Sequence, residues 1–128
     1  MGREKILIGK IGERKAQGFL KLNGYKIMKA NYRTFFGEID AVAKKGDFIV
    51  FIEIKTRVSS SLGPPYISVT SQKQRHIIKN ALSYLKRYGL TDSNWRVDVV
   101  SVKLSYKYEV ENIELIENAT EDYEGGWI

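Results

Sequence analysis

The stretch from Gly37 to Arg57, GEIDAVAKKGDFIVFIEIKTR, constrains this chain more than any other. Two runs rich in β-branched and aromatic residues flank Lys44-Lys45-Gly46-Asp47, a composition that predicts a tight hairpin turn. Whether Lys44 faces Asp47 or Lys45 faces Phe48, Asp40 falls opposite Phe51 or Glu53. In either register Asp40, Glu53 and Lys55 share one face, because alternate residues of a strand point the same way. The opposite face of the second strand carries Val50, Ile52 and Ile54, all apolar, and must be buried. Two acids and a lysine therefore lie on a strand already committed to the core.

Two accounts fit this face. In the first, Lys55 and Arg57 neutralise Glu53 and Asp40 in a cross-strand ion-pair cluster, worth little per pair. In the second, the carboxylates grip one hard cation, since directly opposed Cβ atoms lie about 5 Å apart and diagonal ones roughly 7–8 Å. Mg²⁺ takes one or two carboxylates, keeps several waters and completes its shell with substrate phosphate. Such an ion offsets charge on a phosphodiester and lowers the pKa of a bound water, beside which Lys55 would stand.

The pattern around this hairpin predicts the order α-β-β-β-α-β-β. A helix is expected from Arg3 to Asn23, with Ile8, Ile11, Phe19 and Leu22 recurring at helical spacing, Ala16 and Leu20 alongside, and Gly24 as the C-cap. Gly9, Gly12 and Gly18 weaken that helix, or mark a close approach to a sheet. Glu13 lies in line with Ala16 and Leu20, which turns it toward the sheet; an exposed pair with Lys10 or Arg14 is the alternative. Tyr25–Tyr32 reads as a strand, and 58–69 as a loop with Gly63 and Pro64-Pro65. A second helix starts at Thr70-Ser71, buries Ile77, Ile78, Ala81, Leu82 and Leu85, and ends at Gly89. Trp95–Leu104 and Val110–Ile116 supply the last strands. An α/β sandwich around a mixed sheet follows, as one domain over 1–119 with an acidic tail at 120–128.

Charge adds a partner class. Residues 1–103 hold 20 Lys/Arg against 8 Asp/Glu, and residues 104–128 one Lys against 7 acids. A basic body attracts phosphate polymers, although lysines also serve solubility. With no cysteine, Cys-ligated metal and disulfides are excluded, and the single histidine, His76, has no companion for zinc. The N-terminal MGREKILIGKIGERK has too short an apolar run for a signal peptide, and no stretch spans a membrane, so a cytoplasmic location is expected.

The residues quoted so far also resemble a known family. GEID (37–40) and EIKTR (53–57) look like the D…(D/E)-x-K core of the PD-(D/E)xK nucleases, with Asp40 and Glu53 thirteen positions apart. The chain as a whole resembles the YraN family. The features run in order: GE-x-x-A (Gly12, Glu13, Ala16), GY (Gly24, Tyr25), N-x-R (Asn31, Arg33), GEID, E-x-K-T-R, a G-x-P loop (Gly63, Pro65), V-T-x-x-K (Val69, Thr70, Lys73) and R-x-D-V-V (Arg96, Asp98–Val100).

This resemblance implies a restriction-endonuclease-like or Holliday-junction-resolvase-like three-layer sandwich, with the mixed sheet flanked by helices. It implies a Mg²⁺ or Mn²⁺ site of Asp40, Glu53, the Ile54 carbonyl and Glu13, with Lys55 as catalytic lysine. It further implies a nuclease acting on nucleic acid, DNA before RNA, with a homodimer among the expected assemblies. Arg33, Thr56, Arg57 and Lys73 are the expected nucleic-acid contacts. Tyr32, Phe35, Phe36 and Tyr66 could each stack on an unpaired base; core or loop packing is expected for most of them, with Tyr66, on the loop, the best exception. Asp98 is expected to pair with Arg96. Ile39 stands where the superfamily's name has proline.

Overall fold

The computed structural model describes residues 2–59 and 71–120. The elements are α1 (Gly2–Leu22), β1 (Lys26–Thr34), β2 (Gly37–Lys45), β3 (Phe48–Val58), α2 (Ser71–Arg87), β4 (Trp95–Leu104) and β5 (Val110–Ile116). They form a five-stranded mixed sheet in the order β1-β2-β3-β4-β5, with β3 and β4 parallel and every other pair antiparallel. The expected order and α/β sandwich are therefore observed. Tyr66 and the loop glycine and prolines lie outside the described residues, as does the tail beyond Thr120. No helix among the described residues is long and apolar enough to cross a membrane.

Local chemistry sets the ends of the elements. At the end of α1, Gly24 (φ 87) lets Tyr25 N–H donate to Leu20 C=O at 3.0 Å and its own N–H donate to Lys21 C=O at 3.2 Å. Gly89 (φ 66) closes α2 in the same way, with Leu90 N–H donating to Leu85 C=O at 2.8 Å. Both are Schellman caps, which need a left-handed residue. The hairpin adopts the second of the two expected registers, Lys45 opposite Phe48. Gly46, at φ 58, takes the first position of the two-residue turn.

The helices bury two separate clusters, one on each face of the sheet. Ala16 and Leu20 of α1 pack with Ala41, Ala43, Val50, Ile52, Val100 and Val102. Ile78, Ala81, Tyr84 and Leu85 of α2 pack with Val42, Ile49, Phe51 and Val97. Two expected core positions are corrected. Leu22 is 90% exposed and Leu82 is 46% exposed. In α1 the sheet-facing stripe runs Gly12, Ala16, Leu20, and in α2 Tyr84 takes the place given to Leu82. Each misplaced leucine lies about 100° around the helix from the centre of the buried stripe, the angle of one residue, which a run of neighbouring apolar residues does not resolve.

Candidate metal and phosphodiester site

Asp40 sits where the sheet splits. The β2–β3 ladder runs from Lys45↔Phe48 to Ala41↔Ile52 and stops, while β2 continues to Gly37 paired only with β1. Alternation also breaks there, because Ile39 and Val42, three apart, join the same α2-side cluster. Across β1, the pairing passes from Ala30↔Ala41 to Tyr32↔Ile39, and the intervening Asn31 has φ 51, a left-handed conformation that Asn tolerates better than most residues. In place of a ladder bond, the Ile54 N–H donates to Asp40 Oδ2 at 2.7 Å. The Ile54 carbonyl leaves the strand on the same edge as its N–H, so it also faces the split.

Odd residues of β3 face α2 and even ones face α1. Glu53 and Lys55 thus look toward α2, whose first turn brings Lys73. The Glu53 carboxylate lies 3.5 Å from Lys55 Nζ and 3.3 Å from Lys73 Nζ. Burial lowers the Lys55 pKa, and the adjoining Lys73 ammonium lowers it further against the pull of Glu53. Burial works against the charge of Lys73 too, but its bond with Lys55 and the charges of Glu53 and Asp40 outweigh this and raise its pKa.

Asp40 differs from Glu53. Burial, then the charge of Glu53, push its pKa up to about 7 from 3.8; the Ile54 N–H pulls down, while Glu13 and a hydrogen bond with Glu53 add to the rise. Asp40 therefore contacts one acid and feels a second. Glu13 is half-buried on α1 and reaches Asp40 electrostatically from the other face of the sheet. No three Asp, Glu, His or Cys side chains among the described residues converge closely enough to enclose an ion unaided. Mg²⁺ does not need that, because waters and substrate phosphate fill its remaining positions.

Glu13 is placed by its neighbour. Gly12 packs directly on Thr56 of β3, where an added Cβ would lie 1.8 Å from Thr56 Oγ1 and 2.7 Å from Thr56 Cβ. A rotamer change cannot clear the second contact, so the helix itself would have to rise. Gly9 and Gly18, by contrast, face open space. Gly12→Ala should therefore destabilise the protein by roughly 1–3 kcal/mol despite alanine's better helix propensity. Urea unfolding checks this, and a gain in stability would contradict the close contact.

Of the remaining expected residues, Thr56 is half-buried under α1, Arg57 is half-buried on the Glu53 face, and Arg33 is exposed on edge strand β1 opposite Glu38. Asp98 does pair with Arg96, Nε to Oδ1 at 3.0 Å, but as the hub of a larger buried network. Sequence reasoning missed Asn31 as the break across from Asp40; of the two expectations for the Phe35–Phe36 turn, packing or stacking on a base, packing does not hold for Phe35, which is 93% exposed. The signal available was the Gly37 that follows them.

The model of the uncharacterised protein family UPF0102 matches residues 12–102. The chain belongs to this family. It is the YraN family whose motifs the sequence carries. A UPF0102 protein of Caldicellulosiruptor saccharolyticus is 44% identical over 112 residues, covering 88% of this chain and 95% of its own. One from Syntrophus aciditrophicus is 45% identical over 118 residues, covering 92% and 91%. One from Clostridium acetobutylicum is 38% identical over 111 residues, covering 87% and 91%. The UPF0102 match begins at Gly12 and so includes Glu13, Asp40, Glu53, Lys55 and Lys73.

Proposed function

We propose that this UPF0102 chain is a Mg²⁺- or Mn²⁺-dependent phosphodiesterase that cuts nucleic acid, DNA in preference to RNA, as an endonuclease. The observation that carries this reading is the environment of Asp40. An ion-pair cluster accounts for Glu53, which has two lysines, but not for Asp40, which is buried beside Glu53 on the Ile54 amide. Asp40 is instead raised by burial and by neighbouring acids. A buried carboxylate held against like charge is a site in want of a cation, and oxygen donors at one or two carboxylates fit a hard divalent ion.

Asp40 and Glu53 would hold that ion, with the Ile54 carbonyl facing the same split and Glu13 contributing charge from α1. When bound, it would offset charge on a phosphoryl oxygen and lower the pKa of a water. Lys55, with its lowered pKa, is suited to orient that water or take its proton. Lys73 meets Glu53 from the helix side and supplies a positive charge at the cleft for phosphate.

Incubating the protein with duplex, single-stranded and branched DNA and with RNA, in Mn²⁺ or EDTA, tests this. Cleavage is expected only with the metal. Lys55→Met should slow it by about 10²–10⁴-fold while leaving Mn²⁺ binding in place. Cleavage that persists in EDTA, or undiminished in Lys55→Met, would sink the assignment. Salt-sensitive binding without any cleavage would favour a binding module that lacks turnover.

A further inference from the structure

Beside the proposed site, the outer face of α2 carries two adjoining grooves. One, of ≈ 570 Å³, is lined among the described residues by Gln72, Lys73, Arg75, His76 and Lys79. The next, of ≈ 400 Å³, shares Lys79 and continues along Phe36, Leu82, Lys86 and Arg87. Basic residues recur along this stripe for about 20 Å, from Lys73 to Arg87 at ~1.5 Å per residue. Its first end is the lysine bound to Glu53.

An aromatic turn stands over the middle of this track. Phe35 is 93% exposed and Phe36 is 40% exposed, their rings edge to face at 5.3 Å. Lys79 Nζ lies 5.2 Å from the Phe36 ring. The turn is firmly built. Phe36 N–H donates to Thr34 Oγ1 at 3.0 Å, and the Thr34 hydroxyl donates to Oδ1 of the buried Asn80. Asn80 in turn donates to the His76 carbonyl at 2.9 Å. Gly37, at φ 150, lies so close to α2 that an added Cβ would be 2.8 Å from His76 Nε2. A phenylalanine left 93% exposed on a fixed turn buries little apolar surface for the fold. Asp40 lies four residues beyond Phe36, about 13 Å away along an extended strand.

Resting on the phosphodiesterase reading, we propose that this face of α2 and the Phe35–Phe36 turn form a track for an unpaired DNA strand, on which Phe35 stacks a base while the lysines and arginines follow the backbone. Positive charge selects a phosphate polymer over an apolar partner. An exposed ring favours unpaired bases, because in a duplex the base faces are already stacked. The occupant is thus an unpaired strand, DNA on the phosphodiesterase reading, led toward Glu53 and Lys55.

Fluorescence anisotropy in EDTA, with a labelled single strand, a blunt duplex of equal length and the corresponding single-stranded RNA, reads binding without turnover. The wild type should bind the single DNA strand more tightly than either alternative. Phe35→Ala should weaken single-strand binding by about 5–100-fold, Phe35→Trp should restore it, and duplex binding should change less than about twofold. Lys79→Ala should weaken binding and flatten its salt dependence. Equal losses on single strand and duplex, unchanged single-strand binding in Phe35→Ala, tighter binding of RNA, or loss of self-association in Phe35→Ala in place of a loss of DNA binding would each overturn the proposal. The two readings fail separately. Phe35-dependent strand binding without metal-dependent cleavage sustains the track and removes the enzyme, whereas cleavage with no Phe35 effect removes the track alone.

Discussion

Asp40→Asn should abolish divalent-dependent cleavage and, at the same time, make the metal-free protein more stable. The carboxyl of Asp40 titrates at about 7 when folded, against 3.8 unperturbed, because burial and the charge of Glu53 oppose its ionisation. A carboxyl raised on folding contributes stability that is fully present below its unfolded pKa and is lost as pH rises through its folded one. The window here is therefore about pH 4 to 7. Asparagine keeps an acceptor for the Ile54 N–H and stays neutral throughout. Near pH 8 the substitution should gain on the order of 2–4 kcal/mol, and near pH 4 almost nothing. Urea titrations of both proteins in EDTA across this range check the sign. Mn²⁺ should stabilise the wild type more at about pH 8 than at about pH 6, because the ion must displace a proton, and should barely stabilise the variant. Equal stability of the two proteins at every pH, or undiminished Mn²⁺ stabilisation of Asp40→Asn, would remove the cation site.

Asp98→Ala should produce the largest loss of stability, about 3–5 kcal/mol, because it strips the partner from buried donors. Asp98 is 0% exposed and accepts from Tyr25 Oη at 2.6 Å, Arg96 Nε at 3.0 Å and Asn118 N–H at 2.9 Å. Burial and the Asp98 carboxylate raise the Tyr25 pKa, so that hydroxyl stays a donor. Arg96 also reaches Glu117 at 3.1 Å. One carboxylate thereby ties the start of β1 and the end of β5 to β4. The combined Arg96→Met, Asp98→Leu variant should recover much of the loss, since it removes both charges together. A loss below about 1 kcal/mol for the single variant, measured by urea unfolding, would show that the network contributes little.

These expectations separate local from non-local information. The two Schellman glycines, the Gly46 turn and the order of elements were legible because each depends on a few neighbouring residues. The stripes of α1 and α2 were legible to within one residue, and Leu22 and Leu82 fell on the wrong side of that margin. Asp98 was legible as a partner of Arg96, two positions away, but not as a hub, because Tyr25 and Asn118 are remote in the chain.

The hairpin itself shows the division most clearly. Its sequence determined that Asp40, Glu53 and Lys55 would be brought to one strand pair, because strand period and turn length leave only two registers. The chain's own contacts decided the rest. The ladder stops at Ala41, so Asp40 does not simply share a pleat face with Glu53 but sits in the gap between β2 and β3, on the Ile54 amide. Gly12 lets α1 descend onto Thr56 and brings Glu13 within electrostatic reach of Asp40 from one face, while α2 brings Lys73 to Glu53 from the other. Period and turn chemistry act over a few residues and can be read along the chain. Burial, the charge around Asp40 and the lysine pair at Glu53 arise only when both helices close on the sheet.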